Sequence, residues 1–381
     1  MVDRPTLRLV YLGDPNETHT RRWIGWFADH GHEVSLVAPP DLALESPLQP
    51  EVRLVRLPVY GGRKFKPLAY WDGRQAVRSA VAALKPDLLH VHYLTGNGWL
   101  AWISGIRPYA ITVWGSDVFR TLPASRKARW FGRLALRGAA LVTADSHDLA
   151  EGAIAGGARR DRMREIQFGV DMARFAPGEV DPTLRGRLGL REGRVVFSAR
   201  TLLGFYRHDV VVRAMTQLPA DVQLLLSARH EDPAVRASVE ALAREVGVAD
   251  RVRIVDTVAH ADMPGVLRLA DVMVSVPETD GTPVTILETL ASGTRVVASD
   301  VPSVREWLGE LDPASLVPVG DVDATAAALN RALAMPASDG ERLAAEGRAL
   351  VAATADYDAN MRRVEADYLR LARRQPLEPA P

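Results

Sequence analysis

Two acidic residues and a turn between them could bind a sugar and an anion in the C-terminal half of the chain. Asp280 lies eight positions before Glu288, and Gly281, Thr282 and Pro283 lead into an apolar helical stretch. A carboxylate can accept hydrogen bonds from two neighbouring hydroxyls, as a hexose or a ribose offers. Backbone N–H groups at a turn before a helix bind anions such as phosphate. An alternative is that Asp280 caps the helix and Glu288 is exposed on its polar face.

Histidines supply a second group of candidates. His90 and His92 alternate at the end of a predicted strand, and His19 lies in the first loop. Imidazole can donate or accept a proton near neutral pH. We expect His90 to be a core histidine, and His19 and His92 are candidates for contact with a reacting hydroxyl.

The sequence lacks the residues of common metal and thiol chemistry. It contains no cysteine, which excludes disulfides, thiolate nucleophiles and zinc–thiolate sites. No group of His, Asp and Glu has metal-ligand spacing, and Asp321 and Asp323 are best explained by capping of the following helix. We therefore predict no metal site.

Short apolar runs alternate with helical segments in two successive cycles. The first cycle has predicted strands at 7–12, 33–38, 52–57, 88–92, 110–113 and 141–144, and the second begins at residue 194. Apolar strands that alternate with helices form parallel sheets covered on both faces. We predict the α/β class, with two Rossmann-like parallel-sheet domains facing each other across a central cleft, where open α/β folds bind ligands.

Composition suggests where these domains end. Residues 176–193 are rich in proline, glycine and charge and lack an apolar period, so we interpret them as a linker. We assign residues 1–175 to an N-terminal domain and 194–350 to a C-terminal domain. Residues 351–381 are predicted to form a helix, which can cross back to the N-terminal domain, and a disordered tail.

The overall charge of the 381-residue chain is balanced, with 47 basic and 47 acidic residues. No overall field therefore favours a nucleic-acid partner. No window reaches the roughly 18 apolar residues of a membrane span, and the first apolar stretch is too short for a signal peptide. We predict a cytoplasmic protein that is a monomer or a homodimer.

One segment departs from this balance. Residues 126–137 contain five basic residues and no acidic one, together with Trp130 and Phe131. A basic helix of this kind could contact the inner face of a membrane. The interpretation that the sequence favours is a solvated helix capped by Ser125, with Trp130 packed inward.

The segment around Asp280 resembles the donor-sugar motif of the family 4 retaining glycosyltransferases, which have the GT-B fold. That motif has two glutamates flanking seven residues, and this chain resembles the subset with Asp-Gly-Thr-Pro in place of the first glutamate. Other segments resemble the family in the same order, and together they span about residues 7–310. They are GDPNETHTRRW (13–23), FADHGHEVSLVA (27–38), PDLLHVHY (86–93), ITVWGSDV (111–118), FGVDMARFAP (168–177), FSARTLLGFYRHD (197–209) and VASDVPSVREWL (297–308).

The resemblance implies a role for each matching residue. Glu288 resembles the glutamate that binds the ribose of the nucleotide, Asp280 the residue that holds the sugar hydroxyls, and Arg200 the arginine on the pyrophosphate. We take Asp280, Arg200 and His92 as the catalytic candidates. The remaining donor-side candidates are Gly281, Thr282, Pro283, Arg207, Tyr206 and Gly13, and the acceptor-side candidates are His19, Trp114 and Asp117.

Three departures from the family pattern affect these roles. The usual lysine after the arginine is missing, and Tyr206 and Arg207 occupy this stretch. Trp114 stands where many members have histidine, and Phe168 where asparagine usually precedes Gly-Val-Asp. We expect Arg207 or Tyr206 to supply a second phosphate contact, and Trp114 can stack on the face of a sugar.

The resemblance implies a metal-independent enzyme, without a cofactor, that transfers a sugar from a nucleotide-diphosphate sugar to a hydroxyl with retention. We expect a UDP-sugar as donor before a GDP-sugar, and the acceptor could be a small molecule, a glycan or a lipid-linked compound. Two alternatives stay open, a GT-B enzyme of the nucleotide-sugar 2-epimerase type and a two-lobed binding protein without catalysis. An NAD-dependent enzyme is excluded, because Gly13-Asp14-Pro15 follows the first strand in place of a Gly-x-Gly-x-x-Gly loop.

Overall fold

The chain folds into two compact units. The computed structural model describes residues 5–58, 67–228, 231–259, 261–280 and 283–379. Residues 1–168 and 358–381 belong to the first unit, and residues 169–357 to the second.

The first unit is built on a parallel sheet. Its strands are β1 (Arg8–Leu12), β2 (Glu33–Ala38), β3 (Val52–Arg56), β4 (Leu88–His92), β5 (Tyr109–Thr112), β6 (Leu141–Ala144) and β7 (Met163–Glu165). Within the described residues these seven strands lie in the order β3-β2-β1-β4-β5-β6-β7. The central strand β4 is buried at every position, as expected for a strand with helices on both faces. The helices between the strands are α1 (Thr18–Asp29), α2 (Pro67–Leu84), α3 (Trp99–Ser104), α4 (Leu122–Ala124), α5 (Arg126–Gly138) and α6 (His147–Gly156).

The second unit repeats this architecture. It begins with helix α7 (Leu184–Arg187), and its strands are β8 (Val195–Ser198), β9 (Gln223–Ser227), β10 (Val252–Val255), β11 (Val272–Ser275), β12 (Arg295–Ser299) and β13 (Leu316–Val317). In the described part of the chain these six parallel strands have the order β10-β9-β8-β11-β12-β13. The other helices are α8 (His208–Ala214), α9 (Pro233–Glu245), α10 (Met263–Leu269), α11 (Val284–Ala291), α12 (Pro302–Leu308), α13 (Val322–Ala334) and α14 (Ala337–Thr354).

Two apolar clusters cover the two faces of the second sheet. Along β8, Val195 and Phe197 belong to the cluster that includes α11, and Val196 belongs to the cluster that includes α8. This alternation follows from the two-residue period of a strand. The structure thus confirms the predicted α/β class with two parallel-sheet domains.

The predicted linker at residues 176–193 is part of the second unit. Its leucines Leu184, Leu188 and Leu190 are buried in the core cluster that also contains α11. The N-terminal segment of the first unit ends at Phe168, seven residues before the predicted boundary at residue 175. Three leucines among glycines and charged residues are too few to produce a visible apolar period, so composition alone did not indicate their burial.

The last helix, α15 (Tyr357–Ala372), packs on the first unit. Trp26 Nε1 donates to Asp358 Oδ1 (2.9 Å), and Arg164 Nε donates to Asp367 Oδ2 (3.0 Å). The tail after α15, which we predicted to be disordered, accepts a hydrogen bond from Arg164 through the carbonyl of Glu378. Among the helices that the structure describes, none is long and apolar enough to cross a bilayer.

Candidate active site

A buried ion pair lies at the carboxyl edge of the second sheet. Arg200 follows β8 and Asp280 follows the neighbouring strand β11, and Arg200 Nη2 donates to Asp280 Oδ2. The two side chains are only 11 % and 10 % exposed. Because the pair is shielded from water, its charges interact more strongly than those of a surface pair.

Two further groups fix the Arg200 guanidinium. Its Nε donates to Ser275 Oγ at 3.0 Å, and Ser275 is the last residue of β11. Its Cζ lies 5.2 Å from the ring centroid of Tyr206, within the range of a cation–π interaction. Arg200 makes no hydrogen bond through Nη1 to any described residue, so this nitrogen is available to an anionic ligand.

Asp280 is not the cap of α11, which rules out the simpler interpretation of this residue. The helix begins after Pro283, and no side chain of the described residues caps it. Pro283 is buried, and Glu288 on α11 is partly buried. Gly281 and Thr282 lie outside the described residues, so their predicted contact with the donor stays a prediction. By contrast, Asp321 does cap its helix, accepting from the Ala324 N–H at 2.9 Å.

Arg207 is held by acidic side chains in this structure. It donates from Nε and Nη2 to the two carboxylate oxygens of Asp209 (2.9 and 3.0 Å), and its Nη1 lies 3.5 Å from Glu278 Oε1. The hydrogen bonds to Asp209 raise the pKa of Arg207. Arg207 can therefore contact a phosphate only if Asp209 shares or releases the guanidinium. Tyr206, the other candidate for this contact, already lies beside Arg200.

In the first unit, His92 ends the buried strand β4. Its Nδ1 lies 2.9 Å from Thr20 Oγ1, and its Nε2 is buried without a hydrogen-bond partner among the described residues. Burial, with a smaller contribution from His19, lowers the pKa of His92 to about 3. The imidazole is therefore neutral at physiological pH. Gly13, which follows β1, packs beside His92 and Thr20.

His92 belongs to a group of ring side chains that contact one another, which we call the aromatic cluster. Its members are His19, His92, Trp114 and Phe168. The imidazole of His19 stacks on Phe168 (ring centroids 3.8 Å apart), and Trp114 lies 5.9 Å from both His19 and His92. Burial and then the charge of Arg22 lower the pKa of His19 to about 4.

The aromatic cluster contains three buried nitrogen atoms without partners in the described part of the chain. They are Nδ1 of His19, Nε2 of His92 and Nε1 of Trp114. Buried polar atoms are almost always hydrogen-bonded, and each exception needs an explanation. Three exceptions in one cluster favour a role in ligand binding.

Asp117 has a structural role that the sequence did not reveal. We predicted it on the acceptor side, but its carboxylate is fully buried and accepts from the backbone N–H groups of Leu94 (2.8 Å), Trp114 (3.0 Å) and Val118 (3.0 Å). Burial raises the pKa of Asp117, against the opposing effect of these hydrogen bonds. It therefore positions Trp114 and does not face a ligand.

His90 is a core histidine, as expected. Its Nε2 lies 2.8 Å from Thr112 Oγ1, and its Nδ1 is hydrogen-bonded to the hydroxyl of Tyr368 on α15. Sequence reasoning missed several neighbours of the candidates, namely Thr20, Phe168 and Ser275. Of these only Phe168 gave a signal, as a departure from the family pattern.

The candidates thus form two groups, one in each unit. Arg200, Asp280 and Tyr206 are in contact in the second unit, and the aromatic cluster and Gly13 lie together in the first. No group of three or more His, Asp or Glu side chains that could hold a metal ion occurs among the residues that the structure describes.

Two family models match most of the chain. One, described as a glycosyl transferase 4-like domain, matches residues 17–169, and another, described as glycosyl transferases group 1, matches residues 192–335. The chain is 29 % identical over 350 residues to a phosphatidyl-myo-inositol mannosyltransferase of Mycolicibacterium smegmatis. This match covers 82 % of this chain and 79 % of that protein.

Solved structures share the fold over nearly the whole length. A glycosyltransferase from Rickettsia africae has a TM-score of 0.83 at 14 % identity, covering 96 % of this chain and 99 % of that one. HepE from Anabaena, in complex with UDP-glucose, has a TM-score of 0.73 at 17 % identity, covering 96 % and 100 %. The chain therefore belongs to the family 4 glycosyltransferases and has the GT-B fold.

Proposed function

We propose that this glycosyltransferase moves a sugar from a nucleotide-diphosphate sugar to a hydroxyl acceptor with retention of configuration, without a metal ion or a cofactor. The observation that carries the proposal is the fixed guanidinium of Arg200, held by Asp280 and Ser275 at the carboxyl edge of the second sheet. This edge is where open α/β sheets bind their ligands.

The donor side must stabilise the negative charge that develops on the departing diphosphate. Arginine suits this task because its planar fork can donate two hydrogen bonds to phosphate oxygens. Arg200 is oriented before the donor binds, so little reorganisation is needed when the charge develops. We assign Glu288 to the ribose and Asp280 to the hydroxyls of the sugar, by resemblance to the family.

On the acceptor side, His92 is suited to bind a hydroxyl as a neutral group. Because its Nδ1 is engaged by Thr20, its Nε2 is the atom left to contact the acceptor. The depressed pKa argues against a cationic role for this imidazole. Trp114 and Phe168 add apolar surface beside it, which favours an acceptor with a ring or an apolar face.

The transfer breaks the bond between the anomeric carbon and the diphosphate oxygen and forms a bond from that carbon to the acceptor oxygen. The acceptor proton passes to an oxygen of the departing diphosphate, which leaves as the nucleoside diphosphate. This step uses no protein nucleophile. Attack on the face from which the diphosphate leaves retains the configuration.

For the donor we propose a UDP-sugar first and a GDP-sugar second. HepE from Anabaena was solved in complex with UDP-glucose, and the relative from M. smegmatis is named a mannosyltransferase. These descriptions apply to those proteins: the first makes UDP the nucleotide to test before the others, and the second makes mannose a sugar to include.

The test measures thermal stabilisation by UDP, GDP, ADP and TDP in EDTA, on the wild type, Glu288→Ala and Arg200→Ala. A nucleotide at about 100 times its dissociation constant stabilises the folded state by about 2.7 kcal/mol. We expect one nucleotide to shift the melting temperature of the wild type and both variants to lose that shift. Arg213→Gln is the matched control, because Arg213 is an exposed arginine on α8.

The corresponding sugar nucleotide is then supplied with a panel of hydroxyl acceptors, and the anomeric configuration of the product is read by NMR. An inverted product contradicts the retaining mechanism, and activity that disappears with EDTA contradicts metal independence. Isomerisation of the sugar nucleotide without an acceptor would instead identify an epimerase. Nucleotide binding without turnover of any sugar nucleotide would favour the binding-protein alternative.

A further inference from the structure

The outer face of α5 carries an exposed set of cations, which we call the basic face. It consists of Arg126, Lys127, Arg129, Arg133 and Arg137, all of them exposed. Positions 126, 130, 133 and 137 follow the three- and four-residue spacing of one helix side, over a length of about 16 Å. The sequence of this helix contains no acidic residue.

No ion pair or hydrogen bond to a described residue engages the side chains of the basic face. Many other arginines of the chain are paired, among them Arg159 with Asp161 and Arg194 with Asp221. The chain as a whole has no net charge. The uncompensated charge on α5 is therefore a local feature and not part of a generally basic surface.

The fold itself does not account for these cations. Arg126, Lys127 and Arg129 lie in the first turn of α5, where the helix dipole is positive and where no acidic residue is present. Cations at this end of a helix are unfavourable, so their presence destabilises the helix slightly. Their placement is better explained by an external anionic partner.

Trp130 lies in the middle of the basic face and is 57 % exposed. We expected it to pack inward, but the buried positions of α5 are Ala128, Gly132, Ala135 and Leu136, and three of these four residues are small. A Cβ on Gly132 would overlap Leu122 Cδ2, so the helix backbone packs closely on the core. This close packing leaves no room for an indole on that side and holds Trp130 on the outer surface.

An exposed tryptophan surrounded by cations fits the interface of an anionic membrane. The indole partitions into the headgroup region, and lysine and arginine side chains are attracted to anionic lipids. Because the inner face of α5 packs on the rest of the protein, the helix can present the indole and the cations to a membrane at the same time. We propose that α5 docks this protein on an anionic lipid surface through the basic face and Trp130. This proposal stands on α5 alone and does not depend on the sugar donor.

The experiment is co-sedimentation of the full chain with vesicles of phosphatidylcholine alone or mixed with phosphatidylglycerol. We expect binding to the mixed vesicles only, and release by salt, because the attraction to the surface is screened. The variant Arg129→Gln/Arg133→Gln removes two charges of about 1 kcal/mol each, so its affinity should fall about thirtyfold. The matched control is Arg213→Gln/Arg244→Gln, which removes two exposed cations from α8 and α9 and should bind like the wild type.

Trp130→Ala separates interfacial insertion from simple charge attraction. We expect this variant to bind more weakly at low salt and to lose part of the blue shift in tryptophan fluorescence that vesicles cause in the wild type. Circular dichroism and melting curves check that each variant is folded. The proposal is overturned if the wild type does not bind mixed vesicles, or if the α5 pair and the control pair bind equally. A preference for a homopolymeric RNA over the vesicles at the same salt would identify a nucleic-acid interface and also overturn it.

Discussion

Arg200 and Asp280, eighty positions apart in the sequence, form a buried ion pair next to the point where β8 and β11 end. The pair neutralises the guanidinium in this structure, and a bound diphosphate would compete with Asp280 for it. An arginine that is balanced by a carboxylate can stay buried without a ligand, whereas an unpaired buried charge is costly. Asp280 therefore helps to keep Arg200 in place, in the position where the proposed donor would meet it.

The first prediction concerns Arg200→Lys. Lysine keeps the charge but presents its donors from a single nitrogen, so it cannot reproduce the separate contacts that the planar guanidinium makes to Ser275, Asp280 and a phosphate oxygen. We expect kcat to fall by roughly a hundredfold, as for the loss of one transition-state hydrogen-bond donor. Release of nucleoside diphosphate at saturating donor measures it, with Arg213→Gln as control. Full activity in the lysine variant would show that charge alone is sufficient.

The second prediction concerns Trp114→Ala. Trp114 lies beside His92 and His19, and its Nε1 has no partner among the described residues. We expect the KM for the acceptor to rise about two- to tenfold with little change in the KM for the donor, since an aromatic contact is worth about 0.5–1.5 kcal/mol. Phe131→Leu, on α5, serves as a comparison for the loss of an aromatic ring elsewhere in the first unit. A change confined to the donor KM would contradict the acceptor-side assignment.

The third prediction is a pH dependence of stability. The pKa of His92 is lowered from 6.5 to about 3 in the folded state, so below pH 6.5 the unfolded chain binds a proton that the folded chain does not. The free energy of unfolding should therefore fall as the pH drops, by up to about 1.4 kcal/mol per pH unit for this residue. The contribution of His92 to the free energy of unfolding is fully present above the unfolded pKa of 6.5 and is lost as the pH falls toward the folded pKa of about 3.

Urea denaturation between about pH 7.5 and 5.5 measures this slope. His92→Asn should have a smaller slope than the wild type, whatever its absolute stability. The control Trp130→Ala removes an exposed side chain that does not titrate and should leave the slope unchanged. Equal slopes in the wild type and His92→Asn would show that His92 binds its proton equally in the folded and unfolded chains, and would contradict the lowered pKa.

The fourth prediction concerns Tyr368→Phe in α15. The Tyr368 hydroxyl is fully buried, accepts a hydrogen bond from Trp23 Nε1 (3.2 Å) and is hydrogen-bonded to His90. Its loss leaves two buried partners unsatisfied, which should cost about 1–3 kcal/mol of unfolding free energy. Denaturant melts measure this change, and Tyr93→Phe, whose hydroxyl bonds an exposed Ser116, should change stability by less than about 0.5 kcal/mol. Similar losses in both variants would argue against a special role of the buried contact.

The strands were the most predictable part of the molecule. Buried parallel strands such as β8 and β11 consist almost entirely of apolar residues, and this pattern is visible without any tertiary information. The residue types of the candidate site were also visible. Their pairing was not, because nothing in the local sequence of Arg200 indicates that its partner is Asp280 and not a phosphate.

The least predictable roles were those that depend on the direction in which a side chain points. Asp117 and Asp280 are both acids in loops after strands, yet one is buried among backbone N–H groups and the other pairs with an arginine. Trp130 was expected to face the core, because sequence pattern does not show that Leu122 already fills the space beside Gly132. Such outcomes are decided by packing between segments that are distant in sequence.

The return of α15 to the first unit has a consequence for the order of folding during synthesis. Residues 169–357 are contiguous, so the second unit can complete its folding as soon as they leave the ribosome. The first unit is synthesised earlier but lacks α15 until residues 358–372 emerge. Until then His90 and Trp23 have no Tyr368 to bond, and the unit made first is the one that finishes last.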